Sequence, residues 1–242
     1  MASVVDHYRT HLAPVYAWMA GGLDAAFARG ESEIADILPN LSAGGRAVDL
    51  GAGFGMHAVP LARRGCSVLA VDNSALLLEQ LTQSARALPI RPVLDDLSSF
   101  QRHMDSTADA ILIMGDTLTH LPDTSSVLTL FKSAAESLRT GGRFIATFRD
   151  YSSPLSGQGR FIPVKSDADR ILTCFLEYGA DHVDVHDVLH EREGPIWRFR
   201  VSVYRKLRLS PAWVSAALRS EGFVVRVEAG TAGMVRVIAT KG

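Results

Sequence analysis

Cysteine is almost missing from this chain: Cys66 and Cys174 are the only two among 242 residues. They stand far apart in apolar segments, and no C-x-x-C or Cys/His spacing offers a zinc site. They read as free buried thiols, which suits a reducing cytoplasm, and no metal site is expected. Long hydrophobic runs are lacking too. None approaches the roughly 20 apolar residues that span a bilayer, and Asp6, His7, Arg9 and His11 interrupt the N-terminus before a signal-peptide core forms. A cytoplasmic protein without membrane contact is the expectation. Neither charge is in excess: 25 Lys and Arg face 26 Asp and Glu, a net charge of -1. No global basic field exists to attract a nucleic-acid backbone, so nucleic acid is not an expected partner. Repeats and low-complexity tracts are absent. What is present, 47% hydrophobic and 21% charged residues, is ordinary globular composition with enough apolar material for one large core.

Residues 1–43 read as helical. Tyr8, Leu12, Val15, Tyr16 and Met19 trace an apolar stripe at helical spacing, Gly21-Gly22 breaks it, and a second helix from Leu23 to Leu38 stops at Pro39-Asn40. Strands and helices then alternate. Strands are expected at Arg46–Leu50, Ser67–Val71, Ile90–Leu94, Ala108–Met114 and Arg143–Phe148. Helices are expected at His57–Arg64, from a Ser74 cap to Ala87, and at Thr124–Leu138, the last ended by Gly141-Gly142. The continuous apolar run ADAILIM marks a strand buried on both faces of a parallel sheet. Beyond Asp150 the rhythm changes: a Ser, Gly and Pro-rich loop over Tyr151–Lys165, then alternating runs at Arg170–Tyr178, His182–Glu193 and Ile196–Leu209, an antiparallel meander. Ser210-Pro211 starts a helix to Ser220, and Gly222–Glu228 with Met234–Thr240 forms a closing hairpin. The fold class is α/β, a doubly wound, mostly parallel seven-stranded sheet with N-terminal helices and an inserted antiparallel meander. One domain over 1–242 is expected: a helical lid (1–43), a cofactor-binding core (44–150), a substrate-side elaboration (151–209) and a closing helix and hairpin (210–242).

The stretch Val48-Asp49-Leu50-Gly51-Ala52-Gly53-Phe54-Gly55 falls at the carboxyl end of the first strand, where open α/β sheets bind ligands. Glycines there let a ligand approach the backbone, although a G-x-G-x-G turn alone is equally a tight strand–helix connection. Three acids sharpen the reading. Asp49 would gain nothing beside a pyrophosphate but suits an ammonium group. Asp72 ends the second strand, 17 residues after Gly55, where its oxygens can accept both ribose hydroxyls. Asp95-Asp96 follows the third strand and can accept an adenine amine. The ligand is therefore read as an adenosine carrying an amino-acid tail.

On these residues the sequence resembles the class I S-adenosylmethionine-dependent methyltransferases. VDLGAGFG is similar to their glycine-rich motif, Asp72 in AVDNS to their ribose acid, Asp96 in LDDL to their adenine-side acid. ILIMGDTLTHLPD and GGRFIATF take the places of their fourth and fifth strands. The resemblance implies S-adenosyl-L-methionine as cofactor, contacted by Asp49, Gly51, Ala52, Gly53, Asp72, Asn73, Asp96, Leu97 and the Met114-Gly115 backbone. MGDTLTHLPD followed by FRDYS, with the meander, is similar to the small-molecule branch that includes glycine N-methyltransferase-like enzymes. There the N-terminal helices and meander roof the cofactor and form the acceptor pocket. The expected partner is a small-molecule methyl acceptor; whether the chain forms a homo-oligomer is left open.

Methyl transfer is an in-line attack on a sulfonium methyl, so positioning and desolvation can supply much of the rate. His120, after the fourth strand, is either a proton-removing or orienting group or a helix-start histidine bonded to backbone. Asp116 is either a site residue or a turn carboxylate. His57 and Tyr16 are candidates for the methionine end of the cofactor, with Tyr8 and Trp18 as further lid residues, or they are surface and core positions. Asp116 and Asp150 stand where metal-assisted catechol methyltransferases hold magnesium, but Arg149 would oppose a dication and the adjacent acid–amide pair is missing. His182, Asp184, His186 and His190 share one strand face and read as a polar solvent face. Arg198, Arg200 and Tyr204 share another, which is solvated surface or, if it lines the pocket, suits a carboxylate-bearing acceptor. Two rival functions follow from the same residues: a nicotinamide-dependent dehydrogenase, disfavoured by Asp49 and the missing later glycine, and a non-catalytic S-adenosylmethionine-binding protein.

Overall fold

A computed structural model of the chain describes residues 3–37, 41 and 44–242. The parallel strands are β1 Arg46–Leu50, β2 Ser67–Asp72, β3 Ile90–Leu94, β4 Ala108–Ile113 and β5 Leu138–Phe148. A second sheet follows from β6 Phe161–Ser166, β7 Arg170–Tyr178, β8 His182–Glu193 and β9 Ile196–Leu207. β10 Phe223–Ala229 and β11 Val235–Lys241 then return to the first. The large sheet has the order β10-β11-β5-β4-β1-β2-β3, and the small one runs β6-β7-β8-β9. β11 inserts antiparallel against β5, while β1 to β5 pair in parallel.

The two faces of the large sheet are covered because its strands alternate apolar residues in both directions, as parallel strands must. Ala47, Val68, Ala70 and Leu112 pack on one side with Phe27 and Ile34 of α3 (Leu23–Ile34), Leu61 of α4 (Ala58–Arg63) and Leu77 and Leu81 of α5 (Ala75–Ser84). Val48, Ile111, Ile113 and Phe144 pack on the other with Leu130 and Phe131 of α6 (Thr124–Ser137) and Val214 and Leu218 of α7 (Pro211–Ser220). Ser74, Asp123 and Ser210 cap α5, α6 and α7 as N-cap acceptors, which is why those helices start where they do.

Several boundaries differ from the sequence reading. The N-terminal helix is α1 (Val4–His7), a π-helical stretch Tyr8–Leu12 and α2 (Ala13–Met19). Pro14 cannot donate to the carbonyl four residues back and its ring crowds it, which accounts for the loosened turn. The α3 helix ends at Ile34, and the expected stop at Pro39-Asn40 lies outside the described residues. Gly141-Gly142 does not stop α6. Leu138 leaves the helix to pair with Ala108, and the register then jumps to Ala110–Arg143, so the glycines form a bulge inside β5. The expected loop over Tyr151–Lys165 contains β6. It is an edge strand, where Pro163 is tolerated and an irregular register beside it absorbs the missing donor.

Candidate active site

The glycine turn is drawn onto β2 by two backbone bonds, Gly51 and Ala52 N–H both donating to the Val71 carbonyl at 2.8 and 3.1 Å. Gly51 has φ +73°, and a Cβ there would come within 2.5 Å of Thr117 Cγ2. Glycine is thus what allows the turns after β1 and β4 to meet. Asp72 closes the turn from below: its Oδ2 accepts Gly53 N–H and its Oδ1 accepts Ser74 N–H, each at 2.7 Å. Burial raises its pKa against these bonds. At the end of β3, Asp96 caps a 3₁₀ helix, Leu97–His103, by accepting Ser98 N–H at 2.8 Å. Asp95 turns away to Arg102 and His103, whose hydrogen bonds hold its carboxyl well below the usual range.

Gly51, Gly53, Asp72, Asn73, Asp96 and Leu97 form one wall of a cavity over the carboxyl ends of β1 to β4; Leu77, Thr117, His120 and Leu121 extend it. The N-terminal helix roofs it with Val4, Val5, Tyr8 and Tyr16. Tyr8 meets the His120 ring edge-on at 5.5 Å, and Tyr204 of β9 lies parallel to it at 5.5 Å and 4°. Burial, then the nearby Lys206 charge, lowers the His120 pKa to about 3, so its imidazole is neutral at physiological pH. Its Nδ1 is buried without a hydrogen-bond partner. Beneath the glycine turn, Asp49 is 1% exposed, its Oδ2 has no partner, and burial raises its pKa to about 6. A buried carboxyl with one oxygen left unpaired is costly unless a cation or donor meets it.

The roof is fastened to the small sheet. His7 Nδ1 lies 2.8 Å from Ser202 Oγ and its Nε2 3.0 Å from Asp187 Oδ2, while its ring stacks on Tyr204 at 3.9 Å. Arg200 donates to the Thr10 carbonyl at 3.0 Å, and Trp18 Nε1 donates to Asp167. The face of β9 bearing Arg200, Tyr204 and Lys206 thus turns toward the helix rather than to solvent. Trp197, Phe199 and Val201 face outward, Phe199 at 69% exposure. Arg198 pairs with Glu193 at the exposed end of the hairpin, and neither arginine lines the cavity.

Not every expected site residue reaches the cavity. His57 is turned to Glu33, 2.8 Å away, and ties α3 to α4. Asp49, Ala52, Met114 and Gly115 are not among the residues that line the cavity. Asp116 is buried and fully engaged: its Oδ1 accepts Arg149 N–H at 2.8 Å, and its Oδ2 accepts Lys206 Nζ at 2.6 Å and Tyr151 hydroxyl at 3.2 Å. Burial, the largest single effect, would raise its pKa, but the Lys206 charge and the hydrogen bonds from Arg149 N–H and Lys206 together outweigh it and lower it. His182 and His186 pair with Asp181 and Glu177 along the half-exposed face of β8. Lys206 escaped the sequence reading, and Thr117 stood unremarked within its MGDTLTHLPD motif.

A seven-stranded sheet closed by an antiparallel β11, with a glycine turn and acids at the carboxyl ends of β1, β2 and β3, is the Rossmann-like methyltransferase fold. Residues 47–142 match the methyltransferase domain family. Among curated proteins, a glycine/sarcosine N-methyltransferase from Aphanothece halophytica is 28% identical over 153 residues, 60% of this chain and 57% of that one. The chain thus spans little more than half of that relative's length. Among solved structures, the CcbJ methyltransferase of Streptomyces caelestis superposes with TM-score 0.77 at 20% identity, covering 97% of this chain and 98% of that one. An amino pentose methyltransferase from Micromonospora echinaspora, with S-adenosylmethionine bound, superposes with TM-score 0.75 at 16% identity, covering 90% and 95%. Residues 47–142 thus carry a methyltransferase domain, and the chain as a whole has the fold of Rossmann-like methyltransferases.

Proposed function

We propose that this protein transfers a methyl group from S-adenosylmethionine to the nitrogen of a small amine-bearing acceptor. The observation that carries the reading is the single cavity that gathers Gly51, Gly53, Asp72, Asp96 and His120 under the Tyr8–Tyr16 roof. The residues fit the cofactor: Asp72 keeps lone pairs for two ribose hydroxyls besides its two backbone donors. Asp96 stands at the adenine end beside Leu97. Asp49, beneath the glycine turn rather than in the cavity lining, has one carboxylate oxygen without a partner and offers counter-charge for an ammonium. When bound, S-adenosylmethionine supplies an electrophilic sulfonium methyl.

The chain's own residues then orient the acceptor and exclude water. Tyr8, Tyr16, Val4 and Val5 close the cavity from above. His120 presents a neutral imidazole whose lowered basicity makes it a poor store for a proton but a sound acceptor of an N–H bond. A neutral amine brings its own lone pair and needs no base, whereas a hydroxyl would. No Lys or Arg is among the described residues that line the cavity, which favours an acceptor held without a carboxylate clamp. The relatives named for glycine and sarcosine N-methylation and for an amino pentose support nitrogen as the acceptor atom.

Calorimetric titration with S-adenosylhomocysteine, run beside NADH, tests the cofactor. The homocysteine product is expected to bind, and Asp72→Asn to weaken it by about 1.5–3 kcal/mol as a charge-assisted bond is lost. Binding of NADH alone would return Asp72 to a dinucleotide ribose. Methyl transfer to glucosamine, glycine and catechol then separates amine from hydroxyl acceptors; transfer to catechol alone sinks the nitrogen assignment.

A further inference from the structure

The turn that carries His120 is under backbone strain. Gly115 and Asp116 are consecutive left-handed residues, φ +70° and +75°, and Asp116 is one of only two non-glycine residues with positive φ among those described. Such a conformation costs about 1–2 kcal/mol in an L-residue and persists only where its surroundings over-determine it. Here they do. Asp116 N–H donates to the Thr147 carbonyl at 2.9 Å, Gly115 N–H to Thr147 Oγ1 at 2.8 Å, and Arg149 N–H to Asp116 Oδ1 at 2.8 Å. Those contacts come from β5 and the residue after it. The Lys206 ammonium, 2.6 Å from Asp116 Oδ2, reaches the turn from the other sheet.

The turn in turn dictates the 3₁₀ helix Thr117–His120. Thr119 N–H and hydroxyl both donate to the Asp116 carbonyl, at 3.1 and 2.7 Å, and the Thr117 hydroxyl donates to the Met114 carbonyl at 2.7 Å. Wherever Asp116 sits, Thr117 and His120 follow into the cavity. β9 also holds the far side of the imidazole, because Tyr204 is on the same strand face as Lys206 and lies parallel to the His120 ring.

We propose that Lys206 is a positioning residue for His120: paired with Asp116 across the two sheets, it holds the strained turn and sets the place and charge of the imidazole in the acceptor cavity. This rests on the reading of His120 as the group that orients the acceptor. Lys206 itself does not line the cavity. The charged and titratable groups facing His120 are Lys206 and Tyr204 from β9, Asp116 from its own turn, and His7 and Tyr8 from the N-terminal helix. Both phenols stay neutral, since burial raises their pKa values. Lys206, and to a lesser degree His7, oppose protonation of His120, and Asp116 favours it. Removing Lys206 alone unmasks Asp116.

The test is a pH titration of the His120 imidazole by NMR in histidine-labelled protein, the resonance assigned with His120→Gln. In the wild type the imidazole is expected to stay neutral through the physiological range. In Lys206→Met its midpoint is expected to rise by about one pH unit or more, and in Lys206→Arg, which keeps the charge, to stay near the wild-type value. An unmoved midpoint in folded Lys206→Met overturns the proposal. Should Lys206→Met fail to fold, the double variant Lys206→Met/Asp116→Asn leaves no unpaired buried charge. There the His120 ring protons are expected to move out of the Tyr204 ring current, and unchanged shifts overturn the proposal equally. Titrating wild type with S-adenosylhomocysteine in parallel separates the two readings, because a failure to bind overturns methyl transfer alone.

Discussion

Asp49 places a carboxyl in the core where one oxygen has no hydrogen-bond partner and burial outweighs the help of the His57 charge and the Ala58 N–H. Its folded pKa, about 6, lies above the unfolded value, so the folded chain holds the proton more tightly. The carboxyl therefore costs nothing well below about pH 4, and stability is lost as pH rises through the window between about 4 and 6. Two units correspond to roughly 3 kcal/mol at neutral pH. Asp49→Asn is expected to raise the Tm of the ligand-free protein at about pH 7, with the gain gone by about pH 4. The same change is expected to weaken S-adenosylhomocysteine about tenfold or more, because a buried ammonium loses its counter-charge. Denaturation at the two pH values and calorimetry check this. An equal Tm gain at both pH values would show that the carboxyl is not a charged burden. The gathering of Gly51, Asp72 and Asp96 at one cavity was legible in the sequence because strand ends and glycine turns have local signatures. That His57 turns to Glu33 instead of lining the cavity was not legible, because Glu33 lies on a helix packed against it rather than near it in the chain.

At the scale of elements, the glycine turn is the tightest joint of the site. Gly51→Ala adds a Cβ 2.5 Å from Thr117 and keeps a positive φ, a cost of about 1–2 kcal/mol from the backbone alone. The variant is expected to fold with a lowered Tm and to lose S-adenosylhomocysteine affinity at least about tenfold. Adding Thr117→Ser removes the nearest methyl group and should recover part of both losses, as calorimetry on single and double variants would show. No recovery would mean that backbone strain, not the contact with β4's turn, dominates. Most elements announced themselves through period and caps. β6 did not, because an edge strand need not bury an alternating face and tolerates Pro163. The π-helical stretch Tyr8–Leu12 was equally invisible, since its residues keep the apolar spacing of an ordinary helix.

For the whole molecule, the N-terminal helix packs Ala13, Tyr8 and Tyr16 against the core of the large sheet and is tied to the small sheet by His7 to Asp187 and by Thr10 to Arg200, so the chain is expected to unfold in a single cooperative transition. S-adenosylhomocysteine at about a hundred times its Kd should add about 2.7 kcal/mol. For a chain of this length that is a Tm rise of roughly 5–10 °C, with no rise from NADH at equal concentration. Differential scanning calorimetry reads both; two separate transitions would divide the chain into independent units. The order of strands and helices, the glycine turn and the acids that line its cavity were determined by the sequence alone, because hydrophobic period, caps and turn residues act over a few neighbours. Only the tertiary structure decided that Asp116 answers to Lys206, 90 residues away, that Tyr204 lies under His120, and that the arginine-bearing face of β9 turns inward. Those pairings depend on how the hairpin folds back over the N-terminal helix, and alternation along a strand defines two faces without saying which one is buried.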